Sequence, residues 1–213
     1  ILLINDMAGY GKVATAAMLP ILSYMGHPTY NLPTALVSNT LDYGKFNILE
    51  TTEYIKGVFP VWRELGFSFD AIATGFMASE TQARIIAAYC REQAENGTVV
   101  YVDPIMGDEG KLYNGVGEET VAHMRKMVAV ADCIVPNYTE AAYLADVPYH
   151  EDMTEEEKAE ALSPIATAFN ESSNGHGRLA AYAFMIFNLL CAPCFAAIGA
   201  MKREFNNAEW TLA

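Results

Sequence analysis

Short apolar runs alternate with helically spaced ones along the first two thirds of the chain. Residues 1–4 form a continuous apolar run that stops at Asn5-Asp6 and leads into Gly9-Tyr10-Gly11. That pattern predicts a buried parallel strand feeding a glycine-bearing turn. Residues 13–25 carry apolar side chains at helical spacing and stop at Gly26, with Pro20 expected to kink the helix or lie near its start. Residues 35–38 predict a second strand. Residues 50–65 predict a helix entered through Thr51 or Thr52 and left at Gly66. A strand follows over 71–74, closed by Gly75. Ser79-Glu80-Thr81-Gln82 has the form of a capping box, in which the Ser and Gln side chains satisfy each other's free amides. The helix it opens runs to Asn96-Gly97, a C-terminal stop. The β-branched run 98–102 ends at Asp103-Pro104, residues 118–130 are helical, 133–135 form a strand ending at Pro136-Asn137, and 139–145 form a short helix.

Strand and helix therefore alternate across residues 1–146. Such alternation implies a mostly parallel sheet with helices on both faces, and ligands of such sheets gather beyond the carboxyl ends of the strands. The polar residues that follow the strands are Asp6, Ser38-Asn39, Thr74-Gly75, Asp103, Asp108, Asn137 and Glu140. Taken singly, each reads as a helix cap or turn former. Taken together on one edge, carboxylates and amides suit a hard cation bound to phosphates.

The pattern changes near residue 150. Glu151-Asp152 and Glu155-Glu156-Glu157 form an acidic helix start, the expected boundary between residues 1–150 and 151–213. Residues 179–201 then run without a single charge and are followed by Lys202 and Arg203. A run of about 20 apolar residues spans a bilayer, and a basic flank is usual at a cytoplasmic end. The same run also fits a buried core helix with a turn at Pro193. Charge divides further along, after residue 171. The 213 residues carry 13 Lys+Arg against 26 Asp+Glu, a net charge of −13. Residues 1–171 hold 10 basic and 24 acidic side chains and residues 172–213 hold 3 basic and 2 acidic, so the excess of acid lies wholly in residues 1–171.

Such a balance, with a pI near 4.6, argues against nucleic-acid partners and anionic membrane surfaces. A hydrophobic fraction of 52% excludes a disordered acidic tail. Cys90, Cys133, Cys191 and Cys194 are too few for a disulfide scaffold, which points to a reducing compartment. No basic segment precedes a short apolar stretch at the start, so no signal peptide is read. The chain opens on Ile1 rather than Met, so residues ahead of it are expected. The four histidines have no ligand spacing, and the methionines sit in apolar runs as core fillers.

Asp103-Pro104-Ile105-Met106-Gly107-Asp108-Glu109-Gly110-Lys111-Leu112-Tyr113 is the most unusual stretch, a strand end, a rigid proline and a glycine-flanked acidic loop. It is expected to bring Asp103 and Asp108 near one another. Asn137 and Glu140, three residues apart at a helix start, share one face. Phosphoryl transfer needs positioning, a metal and charge neutralisation. It also needs a base near the acceptor hydroxyl. No G-x-x-x-x-G-K-[ST] string occurs, which removes a P-loop enzyme. Gly9-Tyr10-Gly11 lacks the third glycine of a dinucleotide fingerprint.

In order, Ile4-Asn5-Asp6-Met7-Ala8-Gly9-Tyr10-Gly11, Leu32-Pro33-Thr34-Ala35, Ser38-Asn39-Thr40, Thr74-Gly75-Phe76, Asp103-Pro104-Ile105-Met106-Gly107-Asp108 and Pro136-Asn137-Tyr138-Thr139-Glu140 resemble the motifs of pyridoxal kinases. Those enzymes are ribokinase-like, and hydroxymethylpyrimidine kinases are close relatives. The resemblance covers about residues 1–150. It implies a three-layer, ribokinase-like α/β fold with a mostly parallel sheet, incomplete here on its C-terminal side; the charge-free run after it is expected to form an apolar helical tail. It implies transfer of the ATP γ-phosphoryl group to the hydroxymethyl of pyridoxal, pyridoxine or pyridoxamine with Mg²⁺, in a cytoplasmic homodimer. It further implies Asp6, Gly11, Thr34, Asn39 and Tyr43 on the substrate side. Asp103, Asp108 and Asn137 fall on the nucleotide side, with Asp108 and Glu140 toward the metal. Many pyridoxal kinases carry Ser where this chain has Asp6.

One family element is missing. Ribokinase-like kinases carry a later G-x-G-D whose amides form an anion hole and whose Asp is the base. The nearest string beyond Asn137 is Gly175-His176-Gly177-Arg178, and an arginine stays protonated. No catalytic base is therefore assigned, and turnover is expected to be impaired. Residues 164–213 resemble a membrane segment of bacterial ferrous-iron transport protein B, which implies membrane association through 179–201. The rival readings are an enzyme-derived domain, a membrane-transport fragment and a binding module that kept the sheet. The two likenesses meet near residues 150–165, as in a fusion, a truncation or an assembly error.

Overall fold

The structure is a computed structural model that describes residues 1–40, 43–113 and 116–149. Eight strands and five helices appear among these residues: β1 (Leu2–Tyr10), α1 (Thr15–Tyr24), β2 (Tyr30–Asn39), β3 (Ile48–Glu50), α2 (Thr52–Glu64), β4 (Ala71–Thr74), α3 (Glu80–Ala94), β5 (Val99–Val102), β6 (Gly107–Asp108), β7 (Lys111–Leu112), α4 (Glu118–Val128), β8 (Cys133–Ile134) and α5 (Tyr138–Ala145). The main sheet has the order β3-β2-β1-β4-β5-β8, all parallel except the edge strand β3. β6 and β7 form a small separate hairpin.

The order places β2 on one side of β1 and β4 on the other. The connections therefore diverge at β1, which makes the β1–β4 gap the switch point where α/β sheets bind ligands. The expected mostly parallel α/β sheet is present, and its core is continuous. Leu2, Ile4, Ile72, Val100 and Val102 from the strands meet Ile55, Phe59, Ile86, Tyr89, Met124 and Met127 from α2, α3 and α4. Burial of these apolar faces is the main force holding helices to sheet.

Several expectations are corrected by packing. β1 runs six residues past the apolar run that announces it, because β2 continues beside it to Tyr10↔Asn39. Pro20 lies inside α1, not at its start. β3 carries no alternating pattern, all three residues being exposed, and only its pairing with Ala35–Val37 defines it. The capping box of α3 is half formed. Ser79 Oγ accepts from Gln82 N–H at 3.3 Å, but Gln82 Oε1 accepts from Ala78 N–H at 2.8 Å and its Nε2 donates to the Thr34 carbonyl at 2.8 Å. Gln82 thus ties the helix to β2 instead of to its own cap. The apolar helical tail, the transporter likeness and the Gly175-His176-Gly177-Arg178 string lie outside the described residues. Among the described residues, no helix is long and apolar enough to cross a membrane.

Candidate functional site

Four strand ends open on the same edge of the sheet. β1 delivers Asn5 and Asp6, β4 delivers Thr74 and Gly75, β5 delivers Asp103, and β8 leads through Val135 to Asn137. Backbone bonds from Gly75 N–H to the Ile4 carbonyl and from Asp103 N–H to the Thr74 carbonyl carry the edge from strand to strand, at 3.0 and 2.9 Å.

The β5–β8 side is built around Glu140, which is only 3% exposed. Asn137 caps α5, accepting from Glu140 N–H at 2.9 Å, and Glu140 Oε2 accepts from Asn137 N–H at 2.9 Å, a complete reciprocal box. The other oxygen, Oε1, accepts from Met106 N–H at 3.2 Å. Asn137 Nδ2 donates to the Gly107 carbonyl at 2.8 Å, and Thr139 Oγ1 accepts from Gly110 N–H at 2.9 Å. The β6–β7 hairpin is thus stitched to the start of α5. Gly107 has no room for a side chain, since a Cβ would lie 2.3 Å from the Lys111 carbonyl oxygen.

Burial pushes Glu140 up to about 7, against the pull of the Asn137, Met106 and Gly107 amides. Burial, then the neighbouring Glu140 charge, raises Asp103 well above the ordinary carboxylate range. Asp108 is exposed, accepts from Glu109 N–H at 2.9 Å, and its charge adds to the rise at Glu140. Asn137 is hydrogen-bonded to Glu140, and the charge of Glu140 acts on Asp103 as that of Asp108 acts on Glu140, so Glu140 is the group that links the other three. Among the described residues no three His, Cys, Asp or Glu side chains form a ready metal cage.

The substrate-side residues divide into two groups. Asp6 lies at the switch point, where burial raises its carboxyl to about 6. Thr34 is fully buried under α3, its carbonyl held by Gln82 and its hydroxyl without a partner. Gly11, Asn39 and Tyr43 gather instead at the far tip of the β1–β2 ribbon. Tyr10 there is four residues past Asp6, or about 13 Å along an extended strand. Gly11 adopts φ +127° with the Thr40 methyl where its Cβ would stand, and Tyr43 meets Tyr10 edge-on at 6.0 Å. Asn39 spends its amide on the turn, donating to the carbonyls of Thr40 and Lys45 at 3.0 and 2.8 Å.

A cleft of about 320 Å³ opens where α2 and α3 begin, lined by Glu50, Thr52, Glu53, Lys56, Ser79 and Thr81. Glu50 closes it by accepting from the Ser79 hydroxyl at 2.6 Å and from the Thr52 hydroxyl. Those bonds hold its carboxyl below the usual range, Ser79 contributing most. Sequence reasoning gave no site role to Asn5 or Glu50 and gave Gln82 only its place in a capping box. A polar residue inside or just after an apolar strand is the available signal for the first.

The parallel sheet, the switch-point crevice and the carboxylates on its edge define an α/β protein of the doubly wound class, with its polar edge beyond the strand ends. The sequence profile of the phosphomethylpyrimidine kinase family matches residues 26–169. A pyridoxal kinase PdxY from Corynebacterium diphtheriae is 32% identical over 157 residues, 71% of this chain and 55% of that one. Among solved structures, a Bacteroides thetaiotaomicron protein assigned as a phosphomethylpyrimidine kinase, in a form with pyridoxal, superimposes with TM-score 0.73 at 36% identity over 78% of this chain and 58% of its own. Pyridoxal kinase from Leishmania donovani with ADP and pyridoxamine gives TM-score 0.67 at 27% identity, covering 76% and 57%. The chain belongs to the pyridoxal kinase and phosphomethylpyrimidine kinase family. It spans about half the length of the curated relatives it matches. The transporter likeness of residues 164–213 finds no support in these comparisons.

Proposed function

We propose that this chain carries the vitamin-binding and part of the nucleotide-binding surface of a pyridoxal kinase-like enzyme, and that as it stands it binds these ligands but transfers phosphate poorly. The observation that carries the reading is the Glu140 assembly. A buried carboxylate gathers the amides of Asn137 and Met106 and raises the proton affinity of Asp103 beside it. A pair of carboxyls that holds protons this tightly suits an incoming cation, whose charge would replace those protons.

Mg²⁺ fits this donor set. It takes one or two carboxylates and fills its other positions with water and phosphate oxygens. Asp108 and Glu140 would hold it, with Asp103 and Asn137 beside the ATP phosphates. When bound, it neutralises phosphate charge. The protein's own part is to fix the hairpin amides and exclude water from the buried end of Asp103. Asp6 would face the vitamin ring, and its carboxyl, raised to about 6 by burial and so still largely ionised at neutral pH, can accept a hydrogen bond from a protonated ring nitrogen. The hydroxymethyl acceptor then needs a base, and this sequence contains no G-x-G-D to provide one. Loss of a general base alone removes about 10²–10⁴ in rate.

The test combines calorimetry of pyridoxal and of Mg-ADP with a phosphorylation assay under Mg-ATP. Saturable binding with turnover at least about 100-fold below a full-length relative is expected. Turnover close to that of the relative removes the impairment, and absence of binding removes the site. Sedimentation of the same sample reads the homodimer that the family resemblance implies.

A further inference from the structure

At Asn5 the sheet divides. β1 pairs with β4 only as far as Ile4↔Thr74, and beyond that point it runs with β2 alone. The residue opposite Asn5 in β2 is Pro33, which has no N–H for the ladder, and the register slips between Asn5 and Met7. Backbone amides leaving a ladder inside a protein must find other acceptors. The Asn5 side chain supplies one. Its Oδ1 accepts from Asp6 N–H at 2.9 Å and from Phe76 N–H at 2.8 Å, joining positions 71 residues apart. Asn5 is 3% exposed, and Gly75 passes so close that a Cβ would lie 2.3–2.4 Å from three atoms of the Asn5 side chain. A side chain, not a ladder, therefore spans the switch point.

We infer that Asn5 is a positioning residue, a neutral strap that fixes the separation between Asp6 and the Phe76 turn across the crevice that a pyridoxal-type ring enters. The inference rests on the functional reading above and deepens it. The strap works through one acceptor oxygen and the space that Gly75 leaves for it. Being uncharged, it holds the same geometry whether or not Asp6 carries a proton.

Three variants separate positioning from simple support. Asn5→Ala removes the acceptor, and Gly75→Ala drives a methyl into the Asn5 side chain. In the double variant the methyl added at position 75 enters space that the Asn5 side chain has vacated, so the clash disappears while the acceptor stays missing. The double variant is expected to melt closer to wild type than Gly75→Ala does. It should nevertheless bind pyridoxal about tenfold or more weakly, with amide exchange at Asp6 and Phe76 accelerated by a similar factor. Wild-type affinity in the folded double variant overturns the inference.

If the wild-type chain itself shows no pyridoxal binding, the functional reading fails and amide exchange decides the strap alone. Protection lost at Asp6 and Phe76 in a folded double variant then upholds it, and protection retained overturns it. Should the double variant not fold, Asn5→Asp takes its place. An acceptor oxygen remains in reach of both amides, so protection at both should persist, and its loss in a folded protein overturns the assignment.

Discussion

The two walls of the crevice are built by the same device in different chemistry. On the β1–β4 wall, the Asn5 carboxamide collects the amides of Asp6 and Phe76, and Gly75 makes way for it. On the β5–β8 wall, the Glu140 carboxylate collects the amides of Asn137 and Met106, and Gly107 lies against the facing strand of its hairpin. In each case a side-chain oxygen joins segments far apart in sequence. One collector is neutral, and the other is an acid held near its midpoint at neutral pH. The difference teaches a division of labour. The neutral wall keeps its shape across pH, whereas the acidic wall can exchange a proton for a cation when phosphates arrive.

The largest effect of a substitution should come from removing the acidic collector. Glu140→Ala leaves two buried amides without an acceptor and opens a cavity. At pH 5, where Glu140 is protonated and no charge penalty is relieved, about 3 kcal/mol of stability should be lost in urea titrations. Glu140→Gln keeps one acceptor oxygen and should lose only about 1 kcal/mol. Equal losses in the two variants would show that the amides are held by the hairpin and not by the acid.

Next comes the pH dependence of the wild-type protein. Glu140 and Asp6 hold their protons up to about 7 and about 6 when folded, against 4.5 and 3.8 ordinarily, and Asp103 is raised in the same direction. The folded state therefore binds more protons across this interval. Stability is fully present below the ordinary values and is lost as pH rises through the folded ones, on the order of 5 kcal/mol between pH 4 and 7. Glu140→Gln should flatten the upper part of that slope, and Asn5 variants should leave it alone. A wild-type protein that gains stability from pH 4 to 7 would contradict the acidic wall as described.

Matched glycine substitutions compare the walls directly. Gly107→Ala meets a backbone carbonyl that cannot swing aside, at 2.3 Å, and should cost about 2 kcal/mol. Gly75→Ala meets a side chain, which can turn aside and lengthen its two bonds without giving them up, and should cost about 1 kcal/mol. Melting curves give the order, and a reversed order would mean that the Asn5 strap is the stiffer element.

How much of this was legible in the sequence differs between the walls. The β-α alternation and strands such as Ala71–Thr74 follow from apolar periodicity alone, because each buries one face against the same core. Asn137 and Glu140 are legible as a pair, yet N-x-x-E is also the signature of a capping box, and the structure uses it as one. The functional and architectural roles coincide there, so spacing cannot separate them. Asn5 was not legible, since its partner Phe76 lies 71 residues away and only the crossing of two strands brings them together. The half-formed box at Ser79 and Gln82 fails for the same reason. A long-range acceptor, the Thr34 carbonyl, captures the Gln82 amide.

The smallest expected effect on stability is the one that bears most on function. Asp108 is exposed and accepts from Glu109 N–H, a bond that an asparagine oxygen can also accept. Asp108→Asn should change stability by less than about 0.5 kcal/mol. Its charge nevertheless acts on Glu140, raising that carboxyl's hold on its proton. Without that charge Glu140 ionises more readily, so the downward stability slope should move to lower pH. The two consequences for a cation oppose each other, since one carboxylate is removed while its neighbour is deprotonated more easily. If Asp108 touches the cation directly, the first wins and Mg-ADP affinity falls about tenfold or more in calorimetry. If Asp108 acts only through Glu140, Mg-ADP binding at pH 6 strengthens. A fall would make Asp108 part of the acidic wall, and a rise would leave Glu140 as its only working acid.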